Sequence, residues 1–79
     1  MPPTKQDIIK RINNDFVYHA PHSDQLARYA ALREAGRLLA IKIVESTPAS
    51  REQSLAITNL EQAIMFANAA IARNEQEGN

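Results

Sequence analysis

The sequence contains no cysteine and no tryptophan, and only two phenylalanines and two tyrosines among its 79 residues. Without cysteine no disulfide can form, and with so few large aromatic side chains a chain of this length buries only a modest core. The lack of cysteine is compatible with a reducing compartment without proving one. Because small domains without such supports commonly gain stability by oligomerisation, we expect this chain to assemble with copies of itself.

Glycine-rich loops, an excess of charge and long apolar runs are also missing. Only Gly36 and Gly78 are present, which excludes the glycine-rich phosphate loops. The nine basic and nine acidic residues cancel, and this argues against binding to polymeric DNA or RNA. No segment has the pattern of a leader or contains about 18 successive apolar residues. We therefore expect a cytoplasmic protein that does not bind a membrane.

Three segments have the periodicity of amphipathic helices, so the sequence predicts an all-α protein that forms one domain over residues 1–79. The helices are predicted over about 4–14, 24–45 and 51–74. The break before the third helix contains Pro48 and is very short. The expected architecture is a short N-terminal helix followed by an antiparallel helical hairpin.

Three polar residues are predicted as helix N-caps, whose side chains accept hydrogen bonds from free N–H groups of the first turn. Thr4 with Asp7 has the spacing of a capping box, and so does Ser50 with Gln53. Ser23 precedes the first long helix and is its predicted N-cap.

Apolar spacing also predicts which faces of the two long helices pack together. On the first long helix the expected inward residues are Leu26, Tyr29, Leu32, Ala35, Leu39 and Ile43. On the second they are Ile57, Leu60, Ile64, Ala67 and Ile71. Further alanines widen the second face beyond what one helix covers, and small residues let another backbone approach closely. This pattern again favours packing between chains.

The residue types needed for catalysis are present but not assembled. Serine, histidine and aspartate occur without the arrangement of nucleophile, base and orienting group. His19 and His22 would need two more ligands to hold a metal, and neither cysteine nor an acidic cluster lies beside them. We therefore predict no catalytic site, no metal site and no cofactor.

The remaining candidates are suited to binding a ligand with flat rings and phosphates. They are Phe16, Tyr18, Arg28, Arg33, Arg37, Asn68, Arg73 and Asn74. Aromatic faces stack on bases, and guanidinium groups bind phosphates. Arg33 and Arg37 are four residues apart and share a helix face. A solvated face beside Glu34 also explains these two arginines, and a core anchor also explains Tyr18.

Three motifs carry a resemblance to a known family. They are Phe-Val-Tyr-His-Ala-Pro at 16–21, Leu-Arg-Glu-Ala-Gly at 32–36, and Leu-Glu-Gln-Ala-Ile-Met-Phe-Ala-Asn-Ala-Ala-Ile-Ala-Arg-Asn at 60–74. Through them the chain from Phe16 to Asn74 resembles the helical-hairpin domain shared by phage anti-CBASS and anti-Thoeris sponges. These anti-defence proteins sequester cyclic oligonucleotides and cyclic ADP-ribose isomers, respectively.

The resemblance implies a hexamer of helical hairpins that binds immune messengers without cleaving them. In the anti-CBASS sponges, a tyrosine just ahead of the first long helix stacks on nucleobases, and a basic residue fifteen positions later contacts the phosphates. Tyr18 and Arg33 have that separation, and Gly36 follows three positions later as in the family. The resemblance therefore assigns these residues to a cyclic dinucleotide site.

The resemblance also implies a second class of pocket, formed where three subunits meet, that binds cyclic trinucleotides. Asn68, Arg73 and Asn74 are the candidates for it. The anti-Thoeris sponges carry an additional N-terminal portion that this sequence lacks, so cyclic oligonucleotides are the expected partners. The expected function is their sequestration in the cytoplasm of the bacterial host. The alternative is a small structural or adaptor protein that binds a partner helix through its alanine-rich face.

Overall fold

A computed structural model describes residues 2–75, and this part of the chain contains three α-helices and no strand. Helix α1 spans Lys5–Asp15, α2 spans Gln25–Ser46, and α3 spans Arg51–Asn74. Helices α2 and α3 pack against each other as a hairpin, whereas α1 makes few contacts with either. The predicted all-α class is confirmed.

Side-chain caps define the beginnings of α1 and α3. The Thr4 hydroxyl accepts a hydrogen bond from the Asp7 N–H at 3.1 Å, and the Asp7 carboxylate accepts one from the Thr4 N–H at 3.0 Å. Ser50 likewise accepts from the Gln53 N–H at 3.1 Å, but the Gln53 side chain donates to the Thr47 carbonyl and does not accept the Ser50 N–H. The capping box of α1 is therefore complete, and only half of the second one forms.

The beginning of α2 differs from the prediction. Asp24 is the N-cap and makes no capping hydrogen bond, whereas Ser23 has a φ of 52°, in the left-handed region. The His22 N–H donates to the Gln25 side chain at 3.1 Å, and the Gln25 N–H donates to the His22 carbonyl at 3.0 Å. These reciprocal bonds close a tight turn, so Ser23 is part of the turn and the prediction that it caps the helix was wrong.

The inward face of α2 also differs from the predicted stripe. The shielded residues of this face are Tyr29, Leu32, Gly36, Ala40 and Ile43. The predicted Leu26, Ala35 and Leu39 are exposed in the chain, and that part of the prediction was wrong. A Cβ atom on Gly36 would lie only 2.8 Å from Ile64 Cγ1. Because α3 approaches this closely, the small residues of α2 face inward and several leucines face outward.

The hairpin has almost no interior of its own. Among residues 2–75 no hydrophobic side chain is fully buried. The accessible surface is 6378 Å², about a third larger than the roughly 4,800 Å² typical of a folded monomer of this mass. Exposed apolar residues occur on all three helices, including Ile8, Val44 and Phe66. The chain alone therefore leaves much of its apolar surface in water.

Helix α3 also has the length and composition of a candidate membrane span, with a mean hydropathy of 1.2 over its most apolar window. The core helix of a soluble protein has the same properties. Glu61 and Asn68 lie on this helix, and hydrocarbon would be a costly environment for their polar groups.

Candidate ligand-binding groove

We call residues 16–24, which lie between α1 and α2, the connector. Hydrogen bonds on both sides of it, from Asn14 and from His22, reach the C-terminal end of α3. Before the connector, the Asn14 side chain donates a hydrogen bond to the Arg73 carbonyl at 3.1 Å. Near its end, the His22 ring nitrogen Nε2 donates to the Glu75 carbonyl at 2.6 Å. The connector is consequently folded back over the end of the hairpin.

An ion-pair cluster fixes the same end of α3 to the start of α2. Arg28 donates to the Glu75 carboxylate at 3.0 Å, and its Nε lies 3.0 Å from the Asp24 carboxylate. The hydrogen bond from Arg28 lowers the pKa of Glu75, and the same bond raises the pKa of Arg28. Arg28 was a candidate phosphate ligand, but in this structure its guanidinium is engaged with two carboxylates.

A groove with a volume of about 510 Å³ opens where the connector crosses the hairpin. We call it the Tyr18 groove. Its lining residues come from all three helices and from the connector: Asp15, Val17, Tyr18, His19, Tyr29, Arg33, Asn68, Ala69, Ala72 and Arg73. The structure thus brings four of the predicted site residues, from three parts of the sequence, to one place.

Tyr18 and Arg33 are both available to a ligand in this groove. The Tyr18 side chain is 83% exposed, so it is not a core anchor of the isolated chain. Arg33 is exposed and has no hydrogen bond or ion pair within residues 2–75. An exposed ring and an uncommitted guanidinium on one groove are the groups that stack on a base and bind a phosphate.

Arg37 and Gly36 have different surroundings from Arg33. Arg37 donates two hydrogen bonds to Glu34, at 2.9 and 2.7 Å, and this interaction lowers the pKa of Glu34. The space beside Gly36 is filled by Ile64. Arg33, Gly36 and Arg37 do line a second groove of about 300 Å³. In the chain, however, Arg37 is paired with a carboxylate and Gly36 serves helix packing.

The other predicted residues are distributed over the end of the hairpin. Phe16 is 86% exposed and does not line the Tyr18 groove. Asn68 lines that groove, and its Oδ1 is buried without a hydrogen-bond partner among residues 2–75. Asn74 bonds back to the Ala70 carbonyl and lines, with Arg73, a third groove of about 440 Å³ between α1 and α3. One chain therefore does not unite Asn68, Arg73 and Asn74 in a single pocket.

Comparison with known proteins decides the family. A family model described as the Acb2/Tad1 hairpin domain matches residues 7–72. The chain belongs to this family. It is the family of the anti-CBASS and anti-Thoeris sponges, so the resemblance drawn from the sequence is confirmed. No curated protein and no solved structure matches the chain.

Six lining residues of the Tyr18 groove in this Acb2/Tad1 hairpin are not among the predicted site residues, and three of them have polar or aromatic side chains: Asp15, His19 and Tyr29. Apolar spacing predicts a role in helix packing for Tyr29, and the sequence suggests no role for His19 beyond that of a metal ligand. The Asp15 carboxylate lies 3.6 Å from Arg73 Nε and partly neutralises the cationic side of the groove. Of these three residues, only His19 has a sequence signal for a place in the groove, because it is adjacent to Tyr18. Residues 2–75 contain no group of three potential acidic or histidine metal ligands.

Proposed function

We propose that this member of the Acb2/Tad1 hairpin family binds cyclic oligonucleotide messengers and sequesters them, without cleavage, in the cytoplasm of an infected bacterium. The observation that carries the proposal is the presence of Tyr18 and Arg33 on one groove. Membership of the sponge family supports it independently, because the matched region contains both residues. The proposed ligands are cyclic dinucleotides at this groove.

The chemistry of the groove suits such a ligand. A cyclic dinucleotide presents two flat bases and two phosphodiesters, so it needs an aromatic surface and a cation at a fixed separation. Stacking of one base on an aromatic ring contributes about 1–3 kcal/mol. The planar guanidinium of Arg33 can donate two parallel hydrogen bonds to one phosphate. Since only a few local donors are required, a chain with zero net charge can still bind this anion.

Assembly is the second part of the proposal. The surface in excess of that of an ordinary monomer is about 1,600 Å² per chain, which equals about two half-interfaces of about 800 Å² each. A chain with two such faces is suited to an assembly larger than a dimer, and we propose the hexamer implied by the family. Symmetry would then gather several copies of Asn68, Arg73 and Asn74 into a site for a cyclic trinucleotide.

Sequestration requires affinity and abundance but no turnover. A protein that binds the messenger lowers its free concentration by mass action as long as binding sites outnumber messenger molecules. The effector that the messenger activates then remains unoccupied.

Calorimetric titration with cyclic dinucleotides, cyclic trinucleotides and cyclic ADP-ribose isomers tests the proposal, followed by chromatography of the ligand released on heating. We expect tight binding of at least one cyclic oligonucleotide and its recovery intact. Tyr18→Ala and Arg33→Ala should each weaken cyclic dinucleotide binding by at least about tenfold while the oligomer remains. Arg51→Ala is the matched control, because Arg51 is exposed at the start of α3 and does not line the groove. Unchanged affinity in both site variants would refute the assigned groove.

The same titration evaluates the two competing functions. The exposed apolar side chains of α3, such as Met65 and Phe66, favour an adaptor that binds a partner helix as the second candidate. Absence of binding across the whole panel would favour this adaptor. Recovery of cleaved ligand would instead identify an enzyme.

A further inference from the structure

The position of Tyr18 depends on backbone contacts made elsewhere in the chain. The ring is 83% exposed, and Tyr18 makes no hydrogen bond within residues 2–75. Its place on the groove is therefore determined by the course of the connector. The adjacent residue, His19, provides a contact that fixes this course.

Two hydrogen bonds connect His19 to α3 through one residue. The His19 ring nitrogen Nε2 donates to the Asn14 carbonyl at 2.9 Å. The Asn14 side chain in turn donates to the Arg73 carbonyl at 3.1 Å. The first bond ties the connector to the end of α1, and the second ties the end of α1 to α3. The bonds act in series, because losing either one interrupts this link between His19 and α3, while the His22 bond to the Glu75 carbonyl remains at the other end of the connector.

We propose that Asn14 is a positioning residue for ligand binding, which holds the connector against α3 so that Tyr18 and Arg33 line the same groove. This inference rests on the proposed function, because it assigns a role within the same binding site. Asn14 does not line the Tyr18 groove, so it acts through Tyr18 and not by touching the ligand there. A connector that is already in place spares the ligand the entropic cost of ordering it.

A second link between α1 and the hairpin, the ion pair of Asp15 with Arg73, is weaker than this relay. The Asp15 carboxylate lies 3.6 Å from Arg73 Nε, beyond hydrogen-bond distance, and the Arg73 side chain is 40% exposed. Partly exposed ion pairs of this kind hold a segment only loosely. Helix α1 otherwise makes few contacts with α2 and α3. The Asn14 side chain is consequently a directional contact that this ion pair does not replace.

The sequence offers a matched control in Asn13, which precedes Asn14 on α1 and is exposed. Both asparagines have the same side chain in the last turn of the same helix, so replacement by alanine changes helix propensity equally. We expect Asn14→Ala to weaken cyclic dinucleotide binding by about tenfold, the typical effect of one lost hydrogen bond with its ordering cost. Asn13→Ala should bind with the affinity of the unmodified chain. The unmodified chain and both alanine variants should elute at the same volume in size-exclusion chromatography, which shows that the oligomer is unchanged.

A double-mutant cycle tests whether the two bonds act in series. His19→Phe keeps a ring of similar shape but removes the Nε2 donor. Because either substitution breaks the same connection, the double variant should bind no more weakly than the weaker single variant. A loss equal to the product of the two single losses would show independent effects and overturn the relay.

A measurement without ligand separates failure of this inference from failure of the proposed function. Chymotrypsin cleaves after aromatic residues, and the connector contains Phe16 and Tyr18. Asn14→Ala should speed cleavage at these residues relative to Asn13→Ala, because a connector that is released from α3 enters the active site of the protease more readily. If the unmodified chain binds no nucleotide but the cleavage rates differ in this way, the binding function fails and the relay stands. Equal cleavage, or equal affinity of the two alanine variants for a ligand that does bind, overturns the relay.

Discussion

Replacement of Gly36 by alanine is the most direct test of the helix packing that supports the groove. Gly36 is buried where α2 meets α3, three residues after Arg33. An added Cβ would lie 2.8 Å from Ile64 Cγ1 and 3.1 Å from Ile64 Cδ1. Both distances are shorter than ordinary carbon–carbon contacts of about 3.5–4.0 Å, so the helices or the Ile64 side chain must move.

Two opposing terms determine the effect on stability. Overpacking of this kind costs about 1–3 kcal/mol, whereas alanine in a helix interior is more favourable than glycine by about 1 kcal/mol. The net expectation for Gly36→Ala is a loss of up to about 2 kcal/mol in the free energy of unfolding. In a chain that carries Ile64→Ala, the opposing atoms are absent and the same replacement should stabilise by about 1 kcal/mol.

Urea denaturation followed by circular dichroism measures these differences, at one fixed protomer concentration because assembly contributes to stability. Ala35→Gly is the control, since Ala35 is the exposed neighbour and reports helix propensity alone. The reasoning is refuted if Gly36→Ala stabilises the chain equally with and without Ile64. That result would mean that α2 and α3 do not touch at this position.

Two further predictions concern the helix ends. Ser50→Ala should lower the free energy of unfolding by about 1 kcal/mol, because the Gln53 N–H loses its acceptor, whereas Ser54→Ala within the helix should change it little; urea denaturation of both variants distinguishes the cap from a general serine effect. Arg28 lowers the pKa of Glu75 below its usual 4.5, so this pair stabilises the folded state above that pH and ceases to do so as the pH falls through the lowered pKa. The difference in melting temperature between Glu75→Gln and the unmodified chain should therefore shrink from about pH 7 to about pH 3, and a difference independent of pH would contradict the assignment.

Local signals were sufficient to predict the helices but not the face by which α2 packs. The break around Pro48 and the cap at Ser50 are short-range features, and the structure shows both. The stripe predicted on α2 follows the spacing of three and four between apolar residues, which includes Leu26 and Leu39. In the structure the shielded positions include Gly36 and Ala40, because close approach of two helices requires small residues at the contact. Periodicity alone does not distinguish a face that packs within the chain from one that remains available to other chains.

The candidate groove is predictable only as far as the family motif extends. Tyr18 and Arg33 were selected through their spacing in the resemblance, and the structure places them on one groove. Asp15 and His19 join them because the connector folds back onto the end of α3. That course depends on the contact between Asn14 and α3, which joins residues 59 positions apart. No pattern of neighbouring residues reports such a contact.

The long-range hydrogen bonds beside the groove also determine at which stage of synthesis the groove can form. Asn14 and Arg28 are bonded to residues 59 and 47 positions later, at the end of α3. A ribosome makes the N-terminal part first, so the Tyr18 segment is complete long before its anchor exists. A nascent chain that ends before Arg73 contains α2 and most of α3 and can form the hairpin. It lacks the Arg73 and Glu75 carbonyls that accept the hydrogen bonds from Asn14 and His22. Under the proposed function, the polypeptide therefore becomes able to capture a messenger only when the last turn of its last helix has been made.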